Sequence, residues 1–240
     1  MGIFTLCIST LLMALVVQIQ ASDPLARLST KKAEVQKEIV DLMNKLRSEV
    51  VPAAKNMLQV VWSEEAAQNA ERWANKCALK HSKEEERKTK RYQCGENLYM
   101  ASTNATWYHA FMTFYNERHN FVYGQGPKTT TSVVGHYTQL VWGPSWEVGC
   151  AVARCPGKPY EYFYVCQQCP AGNVNSVNVP YKSGKSCGDC PNNCKNNLCT
   201  NPCPYVDEFS NCADLTGYCK SFKNVADGCA ASCNCKNEIF

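Results

Sequence analysis

Histidine and acidic side chains are the groups in this sequence whose chemistry could build a site. The 240-residue chain has four histidines, His81, His109, His119 and His136, among 21 acidic residues. Imidazole and carboxylate groups are good ligands for a borderline divalent metal such as Zn²⁺, and an incomplete protein shell leaves coordination positions for water. No His-Glu-x-x-His sequence places two such ligands on one helix face. The residues alone therefore permit a metal site without telling which histidines form it.

A catalytic nucleophile has no signal in the sequence. The Gly-x-Ser-x-Gly pattern that exposes a nucleophilic serine is absent, and a histidine with a glutamate is not a triad unless a nucleophile is placed beside them. A cysteine nucleophile would have to stay unpaired, which an even number of cysteines in the mature chain argues against. We therefore expect no enzymatic activity, with a metal-dependent hydrolase as the catalytic alternative.

Residues 1–21 predict a secretory signal peptide. They contain no charged side chain, run mostly apolar from Ile3 to Ile19 and end in Gln20-Ala21, a small-residue processing site. Cleavage before Ser22 removes Cys7 and leaves sixteen of the 17 cysteines, an even number that fits a disulfide framework formed in an oxidising compartment. No second apolar stretch approaches the roughly 18 residues of a membrane span. We expect a secreted, extracellular protein without a transmembrane segment.

The remaining cysteines divide the chain into two modules. Six lie between Ser22 and Gly172, among enough aromatic and aliphatic residues for an ordinary core, whereas ten lie between Cys187 and Cys235, where long aliphatic side chains are scarce. So small and apolar-poor a segment depends on cross-links, each worth about 2–4 kcal/mol. The Gly-, Asn-, Ser- and Pro-rich stretch 170–180 is typical of a linker.

Local patterns in the first module predict helices and a hairpin. Apolar residues at helical spacing indicate a helix over 34–50, with Ser29 and Thr30 as candidate caps. Ser63 should begin a second helix whose inward face includes Cys77, and Thr106 a third. Two β-rich runs, 148–153 and 160–166, are typical of a hairpin. Helices flanking an antiparallel sheet make the fold class α+β.

Three motifs in this module resemble the signatures of the CAP superfamily. They are Cys94-Gly95-Glu96-Asn97-Leu98-Tyr99, Gly135-His136-Tyr137-Thr138-Gln139-Leu140-Val141-Trp142, and Tyr164-Val165-Cys166-Gln167 running to Cys169-Pro170-Ala171-Gly172-Asn173. The tail from Cys187 to Cys235 is similar to the cysteine-rich domain of the cysteine-rich secretory proteins. The resemblance implies a three-layer α-β-α sandwich over 22–175, a linker and disulfide hinge over 176–202, and a small helical module of the sea-anemone-toxin (ShKT) type over 203–240.

The resemblance also selects the candidate cleft residues. It carries a metal-binding tetrad onto His81, Glu96, Glu117 and His136, and we expect any Zn²⁺ to be weakly held and not required. The carboxylates would orient the histidines or a bound water. Two positions depart from the family pattern, because Met43 stands where a histidine is usual and Phe114 where a tryptophan is common.

The same resemblance implies eight disulfides, a connectivity that the cysteine spacing alone leaves open. The pairs are Cys77–Cys155, Cys94–Cys169, Cys150–Cys166, Cys187–Cys194, Cys190–Cys199, Cys203–Cys235, Cys212–Cys229 and Cys219–Cys233.

The family implies a secreted, monomeric interaction protein that modulates an ion channel or a cell-surface partner, in the male reproductive tract for sperm maturation or fertilisation. Toxins of the ShKT fold plug potassium pores with a lysine beside an aromatic residue, which here indicates Lys220, Phe222 and Lys223. Aromatic contact with a channel's outer vestibule is the competing mode, through Tyr205, Phe209, Tyr218 and Phe222. A venom ion-channel toxin and a sterol or fatty-acid carrier using the CAP module are the alternative functions.

The net charge of the chain indicates which partners its surface favours. The net charge is +4, a mild surplus that could favour sulfated glycans, and no basic–aromatic motif indicates nucleic-acid binding. Residues 200–240 carry three lysines against five acidic residues.

Asn104-Ala105-Thr106 is a sequon that predicts glycosylation at Asn104. The mixed-charge run 83–91 predicts a solvated loop.

Overall fold

The computed structural model describes residues 24–240, so the predicted signal peptide lies outside the described residues. The helices in chain order are α1 (Ala33–Ser48), α2 (Glu64–Ala74), α3 (Trp107–Asn116), α4 (Gly135–Leu140), α5 (Cys212–Leu215), α6 (Lys223–Gly228) and α7 (Ala230–Asn234). The strands are β1 (Val61–Trp62), β2 (Gly95–Ala101), β3 (Phe121–Val122), β4 (Gly126–Pro127), β5 (Glu147–Arg154), β6 (Tyr162–Cys169), β7 (Cys194–Lys195) and β8 (Leu198–Cys199). No helix within 24–240 has both the length and the apolar character needed to cross a membrane.

A four-stranded sheet in the order β1-β5-β6-β2 forms the centre of the first module. Strands β5 and β6 form the predicted hairpin, with Cys150 opposite Cys166, and β2 adds to β6 in antiparallel register. The short β1 pairs with β5 in parallel. The α+β class predicted from the sequence is confirmed.

Helices cover both faces of this sheet because its strands alternate two buried sets of side chains. On one face Ala151, Phe163 and Val165 pack against α2 in one hydrophobic cluster. On the other face Val148, Tyr162 and Tyr164 belong to the cluster that contains the buried sides of α1 and α3. The result is the three-layer sandwich that the family resemblance implies.

A glycine allows α2 to lie directly on the sheet. A Cβ atom at Gly149 would come within 2.1 Å of the Ala67 backbone nitrogen and 2.6 Å of the Ser63 carbonyl oxygen. Any larger residue would push the first turn of α2 away from β5.

Two of the predicted helix caps are confirmed, and the candidate caps of the first helix are wrong. The Ser63 hydroxyl accepts a hydrogen bond from the Ala66 N–H, and Thr106 accepts one from the His109 N–H at 3.1 Å. Helix α1 begins after Lys32, which makes no side-chain cap, so neither Ser29 nor Thr30 caps it.

Cys77 lies beyond α2 and not on its inward face. The helix ends at Ala74, and Cys77 has a φ of 49° in the left-handed region. Cys77 there forms its disulfide with Cys155, which directly follows β5 and packs in the same cluster as α2.

A fully buried arginine connects α1 to the backbone at Leu58 and to the segment 140–145 by hydrogen bonds. Arg47 is inaccessible to solvent and donates six hydrogen bonds to backbone carbonyl oxygens, which belong to Leu58 (twice), Leu140, Trp142, Gly143 and Ser145. Burial lowers the pKa of Arg47 to about 9. The guanidinium therefore stays charged at neutral pH and is compensated by carbonyl dipoles instead of a carboxylate.

The segment expected to be a linker and hinge is packed into the first module. Tyr181 and Leu198 are each 2% exposed and belong to the same hydrophobic cluster as α1 and α3. Cys199 exchanges backbone hydrogen bonds with Met57 and Gln59, and Lys55 forms an ion pair with Asp189 at 3.1 Å. The hinge is thus an integral part of the first module's core.

The C-terminal module is built from short helices held by disulfides. Its small buried cluster consists of Cys203, Ala231 and Cys235, far too little apolar area to offset the chain entropy on its own. The structure contains eight disulfides across the two modules, and their pairs are the same as those that the resemblance implies.

Candidate functional site: a cleft with two histidine–carboxylate pairs

The first pair joins the loop after α2 to strand β2. His81 Nδ1 lies 2.9 Å from Glu96 Oε1, and the Ser82 N–H donates to the same oxygen at 2.9 Å. The second carboxylate oxygen accepts hydrogen bonds from the Ser82 hydroxyl at 2.7 Å and the Gln167 amide at 3.3 Å. The Glu96 side chain is only 1% exposed, whereas that of His81 is 60% exposed. Glu96 therefore acts as the buried anchor and His81 as the accessible group.

These contacts decide the ionisation of Glu96. Burial by itself would raise the pKa of Glu96, but hydrogen bonds from His81, Ser82 and Gln167 to the carboxylate outweigh burial and lower the pKa. The carboxylate is ionised at neutral pH and keeps the His81 ring oriented.

The second pair joins the end of α3 to the start of α4. His136 Nδ1 lies 2.6 Å from Glu117 Oε1, and the other Glu117 oxygen accepts the backbone N–H groups of His136 and Tyr137 at 2.9 and 3.1 Å. The His136 ring also stacks on Phe114 with ring centroids 5.2 Å apart. Phe114, a departure from the family pattern, thus supports the imidazole from one side.

Both imidazoles use Nδ1 for a carboxylate and leave Nε2 for the cleft. Each of the four carboxylate oxygens accepts at least one hydrogen bond from a protein donor, and Glu117 does not line the cleft. The accessible metal ligands that remain in the tetrad are therefore the two imidazole nitrogens. This donor set fits Zn²⁺ bound by His81 and His136, with Glu96 and Glu117 orienting the rings and water completing the shell. A bound Zn²⁺ would supply Lewis acidity there.

The two pairs open onto one cleft of about 330 Å³. Its wall includes both imidazoles, Arg87 and Val133; the other residues lining it are Gly95, Glu96, Asn97, Gly135, Gln139, Gly172 and Asn173. Glu117 is not among the lining residues. The structure therefore brings together the two histidines that the family resemblance implies and that the residues alone do not distinguish from His109 and His119.

The expectation of a merely solvated loop over 83–91 is wrong in part. Glu84–Arg87 forms a 3-10 helix, Thr89 is buried, and Arg87 faces the cleft. Arg87 Nε donates to the Cys94 carbonyl at 3.0 Å and Nη1 donates to the Ser82 carbonyl. These tertiary bonds hold a charged loop that composition alone assigns to solvent.

The cleft offers no activated nucleophile among the described residues. The residues of 24–240 that line it include no serine, threonine, tyrosine or cysteine. Ser82, which hydrogen-bonds Glu96, is 5% exposed and directs its proton to the Glu96 carboxylate. No histidine nitrogen accepts that proton, so the arrangement lacks the base–nucleophile contact of a hydrolase.

Sequence reasoning missed three residues that shape the site. Ser82 and Gln167 hold Glu96, and Arg87 adds a charge to the wall. Ser82 follows His81 directly and Gln167 belongs to one of the CAP-like motifs, so the position of each in the sequence could have indicated its role. Nothing in the sequence indicates the role of Arg87, because that role depends on the path of a loop.

A cluster of three cysteine sulfurs elsewhere is not a metal site. Cys187, Cys190 and Cys199 have sulfur atoms within 4.8 Å of one another. Each is already in a disulfide, Cys187 with Cys194 and Cys190 with Cys199. A metal requires thiolates, so this cluster offers no ligand while the bridges are intact.

The structure separates the residues predicted to contact a channel. Tyr218 and Phe222 form a ring pair with centroids 5.9 Å apart, whereas Tyr205 lines a groove shared with Trp146 of the first module. Phe209 lies over Gly228, where a Cβ atom would meet its ring at 2.2 Å. All four aromatic side chains are about half exposed.

The two candidate lysines and the sequon are also on the surface. Lys223 forms an ion pair with Asp227 one helical turn away, while Lys220 is exposed. Asn104 is exposed beside the start of α3, and Thr106 of the sequon caps that helix. Glycosylation of Asn104 stays a prediction.

Comparisons with known proteins agree with this architecture. A profile described as the Cysteine-rich secretory protein family matches residues 40–168, and one described as Crisp matches residues 187–240. Cysteine-rich secretory protein 3 of Homo sapiens is 50% identical over 217 residues, covering 89% of this chain and 88% of the relative. Cysteine-rich secretory protein 2 of Homo sapiens is 48% identical over 226 residues, covering 92% of each.

Solved structures share the fold of the first module. The crystal structure of NaASP2 with Zn²⁺ superposes with a TM-score of 0.60 at 26% identity, covering 70% of this chain and 96% of that chain. Na-ASP-1 gives a TM-score of 0.59 at 29% identity, covering 69% of this chain and 46% of that chain. With both modules matched and half of the residues identical to a relative of similar length, this chain belongs to the cysteine-rich secretory protein family.

Proposed function

We propose that this protein is a secreted, non-enzymatic interaction protein that modulates an ion channel or cell-surface partner through its C-terminal module. The observation that carries the proposal is the Tyr218–Phe222 ring pair, half exposed on a module clamped by three disulfides. Exposed aromatic pairs are costly in water and typical of binding surfaces.

Rigidity makes this surface suitable for binding. Cys219 lies between the two aromatic residues and is bonded to Cys233, so the backbone under the ring pair is covalently held. A partner that docks there loses less conformational entropy than it would on a flexible loop.

Charge favours aromatic contact over pore plugging. Lys223 forms an exposed ion pair with Asp227, whereas Lys220 has no acidic partner among the ion pairs of the described residues. The module has more acidic than basic residues, and an outer pore mouth that attracts cations does not favour such a surface. The proposed mode is therefore contact with a channel's outer vestibule through Tyr218 and Phe222.

Patch-clamp recording with the full-length secreted protein tests this mode on a panel of potassium and calcium channels. Phe222→Ala and Tyr218→Ala should each reduce the effect on a responsive channel by about tenfold or more, as for hot-spot residues. Tyr160→Ala is the matched control, because Tyr160 is equally exposed but lies on the first module. Unchanged potency in both aromatic variants with a large loss in Lys220→Ala would replace vestibule contact by plugging.

Secretion and tissue belong to the same proposal. Sixteen paired cysteines fit an oxidising compartment, and the relatives compared are named as secretory proteins of mammals. We propose the male reproductive tract as the site of action, with venom as the alternative. Immunoblots of epididymis, testis and oral glands distinguish the two, since a signal confined to oral glands would support the venom role.

Zinc binding by the cleft is a second candidate property. Two observations support it. His81 and His136 line one cleft and use Nδ1, not Nε2, for their carboxylates, and NaASP2, which shares the fold of the first module, was solved with Zn²⁺. Loss of zinc binding on replacing both histidines is the expected outcome that tests it.

A further inference from the structure

The cleft contains one permanent positive charge that has no partner of opposite sign. Arg87 is the only Lys or Arg residue among those lining the cleft in the described chain, and it forms no ion pair within 24–240. Two of its nitrogens are used to hold backbone carbonyl groups of Cys94 and Ser82. Its Nη2 group has no hydrogen-bond partner in the described chain and is left for a ligand.

The nearby negative charge is turned away from this cation. Glu96 is the one acidic residue lining the cleft, but its side chain is 1% exposed and both of its oxygens are saturated by His81, Ser82 and Gln167. A ligand entering the cleft therefore meets the guanidinium and the imidazole edges instead of a carboxylate.

The cleft wall also contains one exposed aliphatic side chain. Val133 is 58% exposed and lines the cleft. A volume of about 330 Å³ is at the small end of ligand sites, enough for a short chain or one amino-acid side chain. One fixed cation and one exposed aliphatic side chain match a singly charged acid that carries carbon atoms next to its charge.

We propose that the cleft binds the carboxylate group of a ligand and that Arg87 is the residue that recognises its charge. A guanidinium held by backbone carbonyls presents its remaining N–H groups in a fixed direction, which suits the planar carboxylate. Val133 contacts the carbon next to the carboxylate. This assignment does not depend on the channel-binding mode of the C-terminal module.

Titration of the full secreted chain with hexanoate in EDTA tests the proposal without a metal contribution. The readout is the NMR signal of the Arg87 Nε–H, together with backbone signals of Gly135 and Val133. Hexanoate should shift these signals to saturation, and hexanamide, which has a similar shape but no charge, should bind about tenfold or more weakly.

Variants assign the effect to the cleft. Arg87→Gln should weaken hexanoate binding by about tenfold or more, whereas Lys90→Gln, which removes the same charge from an exposed position of the same loop, should leave it unchanged. Because Arg87→Gln could disturb the loop, Val133→Asp is the second variant. It places a carboxylate on an exposed rim position and should weaken binding comparably without changing the melting temperature.

Three results would overturn the proposal. They are equal affinity for hexanoate and hexanamide, hexanoate binding that survives both Arg87→Gln and Val133→Asp, and displacement of hexanoate by inorganic sulfate at equal concentration. The last would make the cleft a general oxyanion site in place of a carboxylate site.

Discussion

Two carboxylates shape the cleft through the hydrogen bonds that they accept: Glu96, which lines it, and Glu117, which does not. Glu96 accepts hydrogen bonds from the His81 ring and the Ser82 N–H, and Glu117 accepts them from the His136 ring and the N–H groups of His136 and Tyr137. The glutamates fix the rings, and the rings present their Nε2 atoms to whatever enters. The residue types of the tetrad suggest four metal ligands, but the hydrogen bonds of the two glutamates leave His81 and His136 as the two direct ligands.

Zinc binding should consequently depend on the histidines directly and on the glutamates indirectly. His81→Ala combined with His136→Ala should abolish binding measured by titration calorimetry, while Glu117→Gln should weaken it by about 10–100-fold because the His136 ring loses its anchor. His119→Ala, a change at an exposed histidine, should have no effect. Undiminished binding in the double variant would place the metal elsewhere.

The lowered pKa of Glu96 predicts a pH-dependent contribution to stability. A carboxyl group whose pKa is lower in the folded than in the unfolded protein stabilises the fold above its unfolded pKa, about 4.3, and loses that contribution as the pH falls through its folded pKa. Glu96→Gln should lower the free energy of unfolding at pH 7, and the difference from wild type should shrink below about pH 4. Glu85→Gln removes an exposed carboxylate as the control; a pH-independent difference for Glu96→Gln would contradict the assignment.

At the scale of elements, Arg47 links α1 to α4, which contributes His136 to the cleft, and to the segment beside the hinge. Its five carbonyl partners include Leu140 at the end of the His136 helix, α4, and Leu58 beside the hinge. The helix pattern marks position 47 as a polar residue in the last turn, yet the structure buries it completely. A single side chain thus joins three segments distant in sequence.

Arg47→Met should destabilise the protein by at least about 3 kcal/mol, because several buried carbonyl groups would lose their donors. Arg47→Lys should recover only part of this, since an ammonium group has three donors and no planar fork. Chemical denaturation monitored by tryptophan fluorescence measures both, with Lys45→Met on the exposed side of α1 as the control. A loss below about 1 kcal/mol for Arg47→Met would mean that water replaces the guanidinium.

At the scale of the whole molecule, the hinge packs with the first module, so we expect that module to need residues beyond Gly172 to fold stably. A chain ending at Gly172 lacks Tyr181 and Leu198, two buried members of the first module's core. Losing buried side chains of this size costs about 2–5 kcal/mol each. A chain ending at Asn201 keeps both residues and both hinge disulfides.

The longer truncated chain should therefore melt close to the first transition of the full-length protein, and the shorter one well below it. Differential scanning calorimetry compares the two directly. Equal melting temperatures would show that the hinge does not stabilise the core of the first module.

An assay of sterol or fatty-acid binding by the first module should therefore use the chain that ends at Asn201.

The secreted protein should begin near Ser22 and contain no free thiol. Its sixteen cysteines in the described residues are all paired, and the seventeenth, Cys7, lies in the predicted signal peptide. Intact mass before and after alkylation under denaturing, non-reducing conditions should be identical. A mass increase by one alkyl group would reveal an unpaired cysteine.

Features that depend on a few neighbouring residues were determined by the sequence itself. The helix caps Ser63 and Thr106, the β5–β6 hairpin and the contrast between an apolar-rich and a cysteine-rich module follow from local propensity and composition. The α+β class follows from the same patterns, because alternating buried faces need helices to cover them.

The side chains that share the cleft are set by tertiary packing. His81, Arg87 and His136 come from three segments whose proximity depends on how loops pack over the sheet. The family resemblance implies the two histidines, but no pattern in the sequence places Arg87 beside them. The burial of Tyr181 and Leu198 could not be predicted for the same reason. The Gly-, Asn-, Ser- and Pro-rich stretch 170–180 before them is typical of a linker, and only the folded core shows that the residues after it are buried. Long-range packing, which sums many weak contacts, determines both outcomes.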